Sequence, residues 1–275
     1  MNFNRKTIKK DSKLRDEIWF WKEIPEAYFK ACSKMRRTVD ETRMVEFINE
    51  FKPKNKKIIV DLGIGPGREL HWLTKLKNIS KIIGIDYSQP MLNFCQKQAQ
   101  KSQIKTTLLK DDLLTLNKFK PPKVEIIIYL YLFNSLGDFE PKERKIILQN
   151  IKRKMKNGDV FIVTLSKRPE EVEPGVLEEL SYRAKSSKEN KRLDVVMEYG
   201  ALPFLWNISL KKYKRLPQLW YDNKKNDFVL YMGKNILFFS HRWSKKEIIG
   251  LFIKSGLKII DIIGGKTSYV VISKI

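Results

Sequence analysis

Runs of consecutive apolar residues recur at regular intervals through the middle of the chain. Most of their members are Ile, Val, Leu or aromatic residues, and polar residues do not alternate with them. Continuous runs of this length are typical of strands that are buried on both faces of a parallel sheet. We therefore predict five buried strands, at residues 57–62, 81–86, 106–109, 124–133 and 160–165.

Segments with helical spacing separate these strands. The first follows a glycine-rich turn and extends through Leu76, and the second covers residues 89–101. A third covers residues 141–156 and ends just before Gly158, a residue that commonly follows a helix C-terminus. Strands that alternate with helices predict a doubly wound α/β domain.

The segments before and after this region have different patterns. Residues 14–51 carry apolar positions three and four apart, which predicts N-terminal helices. A charged, helix-like stretch at 170–192 precedes three short segments that resemble antiparallel strands. These three segments cover residues 216–221, 227–232 and 235–240.

The chain then returns to the α/β pattern. Ser244 and Glu247 have the spacing of a capping box and predict the start of a helix that ends near Gly256. Two last strands are predicted at 257–263 and 268–274. The whole chain is divided into an N-terminal helical cap (1–56), an α/β core (57–166), an antiparallel insert (167–243) and a C-terminal helix with the last two strands (244–275).

A glycine-rich turn follows the first predicted strand. Gly63, Gly65 and Gly67 are spaced G-x-G-x-G, and Asp61 lies in the strand end just before them. Glycine allows a tight turn and lets a ligand approach the backbone closely. The turn leads into a helix N-terminus, whose free N–H groups favour a carboxylate.

Acidic residues follow the next two predicted strands. Asp86 ends the second strand, where a carboxylate can accept hydrogen bonds from both hydroxyls of a ribose, and Asp111-Asp112 follow the third. The carboxyl ends of parallel strands meet at one edge, where open α/β sheets bind ligands. An NAD site fits less well, because it uses G-x-G-x-x-G and Asp61 would repel a pyrophosphate.

These residues resemble the class I superfamily of methyltransferases that depend on S-adenosylmethionine (SAM). Residues 61–67 are similar to its first motif, Asp86 to its ribose-binding acid, and Asp112 with Leu113 to the pair that meets the adenine. The resemblance implies a Rossmann-like, mostly parallel sheet of seven strands, with helices on both faces and the last strand antiparallel. It implies SAM as the cofactor, bound by Asp61, Gly63, Gly65, Gly67, Asp86, Tyr87, Asp112 and Leu113.

Two further residues near this motif have alternative interpretations. Met91, like Tyr87, either borders the adenine or packs within its helix. Arg68 either reaches the SAM carboxylate or lies on the helix surface.

Methyl transfer from a sulfonium requires that the donor and the acceptor are held in line in a site that excludes water. A base is needed only when the acceptor must lose a proton. No catalytic signature is therefore required. Candidates near the methyl group are Tyr131, Asn134 and Ser135, which follow the fourth strand, and His241, which ends the insert. The alternatives are a loop that caps the next helix and a structural histidine beside Trp243.

The methyl acceptor is left open by the sequence. The 167–243 segment resembles the antiparallel lid of many small-molecule methyltransferases, which favours a small-molecule acceptor. The alternative is tRNA or rRNA, because 55 Lys and Arg against 31 Asp and Glu give a net charge of +24. Basic residues at 211–215 and 152–156 would serve that interaction. A protein acceptor or a non-catalytic SAM-binding role is a further alternative.

The remaining features exclude other classes of protein. The longest apolar run, 126–133, is far shorter than the roughly 20 residues of a membrane-spanning helix, so no membrane partner is expected. Two cysteines, Cys32 and Cys95, are too few for a disulfide framework or a zinc cluster. We expect a cytoplasmic protein without a metal site; the sequence does not indicate its oligomeric state.

Overall fold

A computed structural model of the chain places the predicted apolar runs in one sheet. It describes residues 9–10, 26, 29, 39–73, 75–101, 104–123, 126–172, 218–222, 224–232, 235–265 and 268–275. The described elements, in chain order, begin with β1 (Lys9–Lys10), α1 (Val39–Glu50), β2 (Lys57–Leu62), α2 (Leu70–Leu73), β3 (Ile79–Asp86), α3 (Gln89–Ala99), β4 (Thr106–Lys110) and β5 (Ile126–Tyr131). They continue with α4 (Pro141–Lys154), β6 (Val160–Ser166), β7 (Gln218–Asp222), β8 (Asp227–Met232), β9 (Asn235–His241), α5 (Lys245–Lys254), β10 (Lys258–Gly264) and β11 (Ser268–Lys274).

The main sheet has seven strands in the order β4-β3-β2-β5-β6-β11-β10. Strands β2 to β6 are parallel to one another, and β11 is antiparallel to both of its neighbours, β6 and β10. The order reverses at β2, between β3 and β5, which is the position where open α/β sheets bind ligands. The predicted Rossmann-like sheet with its antiparallel last strand is confirmed.

Helices cover both faces of this sheet. Ile58 and Val60 of β2 belong to a core that includes residues of α4 and α5, whereas Ile59 packs into a second core with residues of α1, α2 and α3. Because successive side chains of a strand point to opposite faces, a strand between two helical layers must be apolar at every position. This explains why the apolar runs are continuous.

Helices α2, α3 and α4 are shorter than predicted, and α3 ends at Ala99 instead of residue 101. Helix α2 is a single turn, Leu70–Leu73, rather than a helix through Leu76, because the chain must turn sharply there to enter β3. Asn78, with a φ of 59°, takes the left-handed backbone of that turn. Helix α4 ends at Lys154, and Met155 already has an extended backbone.

The insert contributes a second, four-stranded sheet in the order β1-β9-β8-β7. Strands β7, β8 and β9 are antiparallel, as their spacing predicts. The parallel pairing of Lys9-Lys10 with β9 was not predicted, and it makes part of the N-terminal cap a strand of this sheet. The charged stretch at 170–192 begins with a 3₁₀ turn, Pro169–Glu171, and continues outside the described residues, as does the basic segment 211–215.

Candidate active site

The glycine turn and Asp86 are joined directly by a hydrogen bond. The Gly65 N–H donates to Asp86 Oδ2 at 2.9 Å, and the Gly63 N–H donates to the Ile85 carbonyl at 2.7 Å. The second carboxylate oxygen of Asp86 accepts from the Ser88 N–H at 2.8 Å. The turn after β2 therefore folds onto the end of β3, as a shared ligand site requires.

The third strand end lies beside the second. The Asp111 N–H donates to the Asp86 carbonyl at 3.1 Å. Asp111 is buried, and its carboxylate accepts from the backbone of Asp112, Lys118 and Phe119, so it folds the following loop. Asp112 is exposed, with Oδ1 accepting from the Leu114 N–H. Of the two acids, the structure leaves Asp112 at the surface where a ligand can reach it.

The other residues predicted at the adenine differ in exposure. Tyr87, directly after Asp86, is 39% exposed. Leu113 is buried in the core, and its carbonyl accepts a hydrogen bond from the Asn150 side chain at 3.0 Å. Met91 is fully buried, which agrees with its interpretation as a packing residue.

Two of the three glycines have distinct roles in the turn. At Gly65, with a φ of 53°, a Cβ would meet nothing closer than the Gly63 carbonyl at 4.0 Å, so this backbone faces open space. At Gly67, with a φ of 78°, a Cβ would lie 2.7 Å from Cys95 Sγ. Gly67 therefore allows close packing on α3, while Gly65 exposes backbone that a ligand can approach.

Asp61 is a buried carboxylate at the start of this turn. It is 2% exposed, and within the described residues its Oδ2 has no hydrogen-bond partner. Burial, followed by the nearby carboxylates of Glu69 and Asp86, raises the pKa of Asp61 well above its ordinary value. A buried acceptor without a partner fits a cationic ligand, such as the ammonium of an amino-acid tail.

Asp86 is a second buried carboxylate beside the same turn. Burial raises the pKa of its carboxyl to about 6, although the hydrogen bonds from the Ser88, Gly65 and Tyr87 backbone act in the opposite direction. Asp86 is therefore ionised at neutral pH and close to titration at mildly acid pH.

The structure places the Tyr131 ring beside the glycine turn. A Cβ on Gly63 would lie 3.4 Å from the Tyr131 ring, so this ring packs beside the glycine turn. Tyr131 is 1% exposed, and it ends β5, which pairs with β2. Of the residues predicted near the methyl group, Tyr131 is the one with this contact.

Asn134 has a different environment from the one its prediction implies. Its Nδ2 donates to Ser240 Oγ and to the His241 carbonyl, each at 2.9 Å. Its Oδ1 accepts from the Ser166 N–H at 3.0 Å and from Trp243 Nε1 at 2.9 Å. These four bonds use the full capacity of the amide, so Asn134 links β5, β6 and the insert rather than contacting an acceptor.

His241 is also held by the protein itself. Its Nδ1 lies 2.7 Å from Asp227 Oδ1, its Nε2 lies 3.7 Å from Glu247 Oε1, and its ring contacts Trp243 edge-on at 4.7 Å. It is 7% exposed. Because a carboxylate faces each ring nitrogen, this geometry favours the structural alternative over a catalytic base.

The contact between Arg68 and Phe133 was not predicted from the sequence. The guanidinium carbon of Arg68 lies 3.8 Å from the centroid of the Phe133 ring, next to the glycine turn. Phe133 was not a candidate, because only its backbone conformation and exposure distinguish it, and neither is visible in the sequence. Ser135, a candidate, donates to the Leu132 carbonyl at 2.8 Å and caps the local turn.

Comparison with known proteins agrees with this geometry. Residues 59–158 match a family described as a methyltransferase domain. This match, together with the fold, is consistent with the class I SAM-dependent methyltransferase superfamily. No curated protein matches the sequence.

Solved structures of SAM-dependent methyltransferases share this fold. One from Clostridium acetobutylicum is 14% identical, with a TM-score of 0.54 over 86% of this chain and 92% of that one. One from Aquifex aeolicus is 16% identical, with a TM-score of 0.52 over 92% and 98%. A glycopeptide N-methyltransferase complexed with SAM is 12% identical, with a TM-score of 0.50 over 84% and 86%.

Within the described residues, no helix is both long and apolar enough to span a membrane.

Proposed function

We propose that this methyltransferase acts on a small-molecule acceptor held between the strand tips of its main sheet and the antiparallel insert. The observation that carries the proposal is the attachment of the insert. Asn134, beyond the tip of β5, bonds to both Ser240 and His241 at the end of β9. The insert is thereby fixed next to the tips of β5 and β6, where it can enclose a small acceptor and exclude water.

The donor site follows from the residues that surround the glycine turn. Asp61 would accept the ammonium of the methionine tail, and the open backbone at Gly65 would carry the tail itself. Asp86 would accept the ribose hydroxyls, and Asp112 with Leu113 and Tyr87 would surround the adenine. When bound, SAM supplies a methyl group on a sulfonium, which is already a strong electrophile. The chain then has to orient the acceptor and keep it dry.

The +24 charge supports an RNA acceptor as the alternative. Part of the basic cluster at the end of α4, however, is engaged within the protein. Lys154 Nζ donates to the Phe119 carbonyl at 2.7 Å, and Lys156 Nζ to the Lys123 carbonyl at 2.8 Å. These two ammonium groups stabilise the loop before β5, which weakens the argument that they serve a polyanion.

One labelling experiment separates these functions. The full chain would be incubated with SAM labelled in its methyl group and, separately, with a metabolite extract, total tRNA and rRNA. We expect label in the metabolite fraction alone, and its loss in Asp86→Ala. Label in RNA would overturn the small-molecule proposal in favour of the alternative. Tight binding of SAM with no label in any fraction would favour a non-catalytic role.

A further inference from the structure

Phe133 has a backbone conformation that a bulky side chain disfavours. Its φ is 57°, in the left-handed region, where steric contact of the Cβ with the backbone is unfavourable. The conformation is fixed by the neighbouring strand, because the Phe133 N–H donates to Thr164 Oγ1 at 2.7 Å and the Asn134 N–H to the Thr164 carbonyl at 3.0 Å. Strain that the surrounding structure holds in place is concentrated at functional sites.

The side chain of Phe133 is exposed, unlike those around it. Phe133 is 39% exposed, whereas Tyr131, Leu132 and Asn134 are 1%, 4% and 5% exposed. Arg68, itself 8% exposed, stacks its guanidinium on the ring at 3.8 Å. One face of the ring is thus covered by a cation–π contact, while the residue as a whole keeps its exposure.

The ring lies close to the glycine turn, where the proposed function places the methyl donor. Strand β5 pairs with β2, and the Tyr131 ring at its end would lie 3.4 Å from a Cβ added at Gly63 of the glycine turn. Phe133 is two residues further along, next to Arg68, which follows Gly67. A ring needed only for packing would be buried, and glycine or asparagine would adopt this backbone without strain. The ring itself therefore requires another explanation.

We infer that Phe133 is a specificity-determining residue, whose ring stacks on a planar aromatic group of the small-molecule acceptor. Arg68 is a positioning residue that holds the ring from its other face. The inference rests on the proposed function, because the ring selects an acceptor only if the methyl donor binds at the adjacent turn. Stacked aromatic pairs gain free energy beyond the area that they bury, and this gain discriminates a flat ring from a saturated one.

The test compares aromatic and saturated probes on the protein loaded with S-adenosylhomocysteine, the product form of the donor. Dissociation constants for benzylamine and cyclohexylmethylamine, and for phenol and cyclohexanol, would be measured by ligand-observed NMR. We expect the aromatic member of each pair to bind about three- to tenfold more tightly to the wild type. Phe133→Leu should lose this preference, and Phe133→Tyr should keep it.

Two further variants separate stacking from folding. Phe133→Asn suits the left-handed backbone and should unfold at no lower urea concentration than the wild type, yet show no aromatic preference. Arg68→Lys should retain more of the preference than Arg68→Leu, because it keeps a cation over the ring.

The outcomes distinguish this inference from the proposed function. Failure of the wild type to bind S-adenosylhomocysteine would contradict the donor site and with it the proposed function. Normal binding of S-adenosylhomocysteine combined with no aromatic preference, or with an equal preference in Phe133→Leu, would overturn the role of Phe133 alone.

Discussion

The side-chain nitrogen of Asn134 lies 2.9 Å from the carbonyl oxygen of His241 and donates a hydrogen bond to it, across 107 positions of sequence. The same amide accepts from the indole N–H of Trp243. One buried side chain thus joins the loop after β5 to the last strand of the insert and to the segment that leads into α5. The insert is attached at this point to the end of the sheet where the parallel strands finish, which is where we propose that the donor binds.

Asn134→Ala is expected to lower the free energy of unfolding by about 2–4 kcal/mol, because buried groups such as Trp243 Nε1 and the Ser166 N–H lose their acceptor. Urea unfolding followed by tryptophan fluorescence measures this change. Asn117→Ala, at an exposed loop position, is the matched control and should stay within about 0.5 kcal/mol of the wild type. Equal stability of the two variants would show that the link contributes little.

Asp86→Ala should weaken the binding of S-adenosylhomocysteine by about 1–3 kcal/mol, the scale of hydrogen bonds to a charged group. The variant also removes the acceptor of the Gly65 N–H, which helps to shape the turn. Titration calorimetry measures the affinity, with Asp261→Ala on the exposed face of β10 as control. Unchanged affinity in Asp86→Ala would count against this position for the ribose.

The raised pKa of Asp86 predicts how the binding of S-adenosylhomocysteine depends on pH. Burial raises the pKa of Asp86 to about 6, so lowering the pH from 7.5 to 5 protonates it and removes an acceptor for the ligand. We expect the dissociation constant to rise through this range, with a proton released on binding near pH 6. Asp86→Asn should bind weakly and lack this component of the pH dependence. A profile that is the same in both proteins would assign the titration to another group.

The lowered pKa of Glu247 predicts a contribution to stability that is lost at acid pH. Burial alone would raise the pKa of its carboxyl, but contacts with His241, the Ser244 backbone and Arg168 lower it to about 2. Because the pKa of Glu247 is depressed in the folded protein, its ionised carboxylate stabilises the fold at pH values above its ordinary pKa of 4.5. This contribution is lost as the pH falls from 4.5 towards 2. Glu247→Gln should therefore show a smaller loss of stability between pH 5 and 3. Urea midpoints measure it, with the exposed Glu46→Gln as control.

The strands, and the approach of the glycine turn to Asp86, could be predicted from sequence because each depends on local signals. Apolar runs indicate strands between two helical layers, and G-x-G-x-G followed by an acid at 86 indicates which strand ends meet. The carboxyl ends of neighbouring parallel strands have to lie at one edge, so Asp86 and Gly65 could be brought together without coordinates.

The acceptor side could not be predicted in the same way. The partners of Asn134 lie more than 100 positions away in sequence, and no local pattern indicates that its amide would be fully used. Polar residues after a strand end look alike whether they face a ligand or a buried network. The importance of Phe133 depends on a left-handed φ and on the position of Arg68, which are properties of the folded chain.

Asp61 provides the last prediction, in which stability and binding change in opposite directions. Burial of its carboxylate, followed by repulsion from those of Glu69 and Asp86, raises the pKa of Asp61 and disfavours the folded state when no cation is bound. Asp61→Asn keeps the shape of the side chain and removes one charge. At pH 7.5 the free protein should gain about 0.5–2 kcal/mol of stability, as is common when a site is relieved of functional strain.

The same variant should bind S-adenosylhomocysteine about 1–3 kcal/mol more weakly, since the ammonium loses a charged partner. Urea unfolding and calorimetry on one preparation measure both quantities. A variant that loses stability, or that binds as tightly as the wild type, would show that the unpartnered oxygen of Asp61 does not serve the donor.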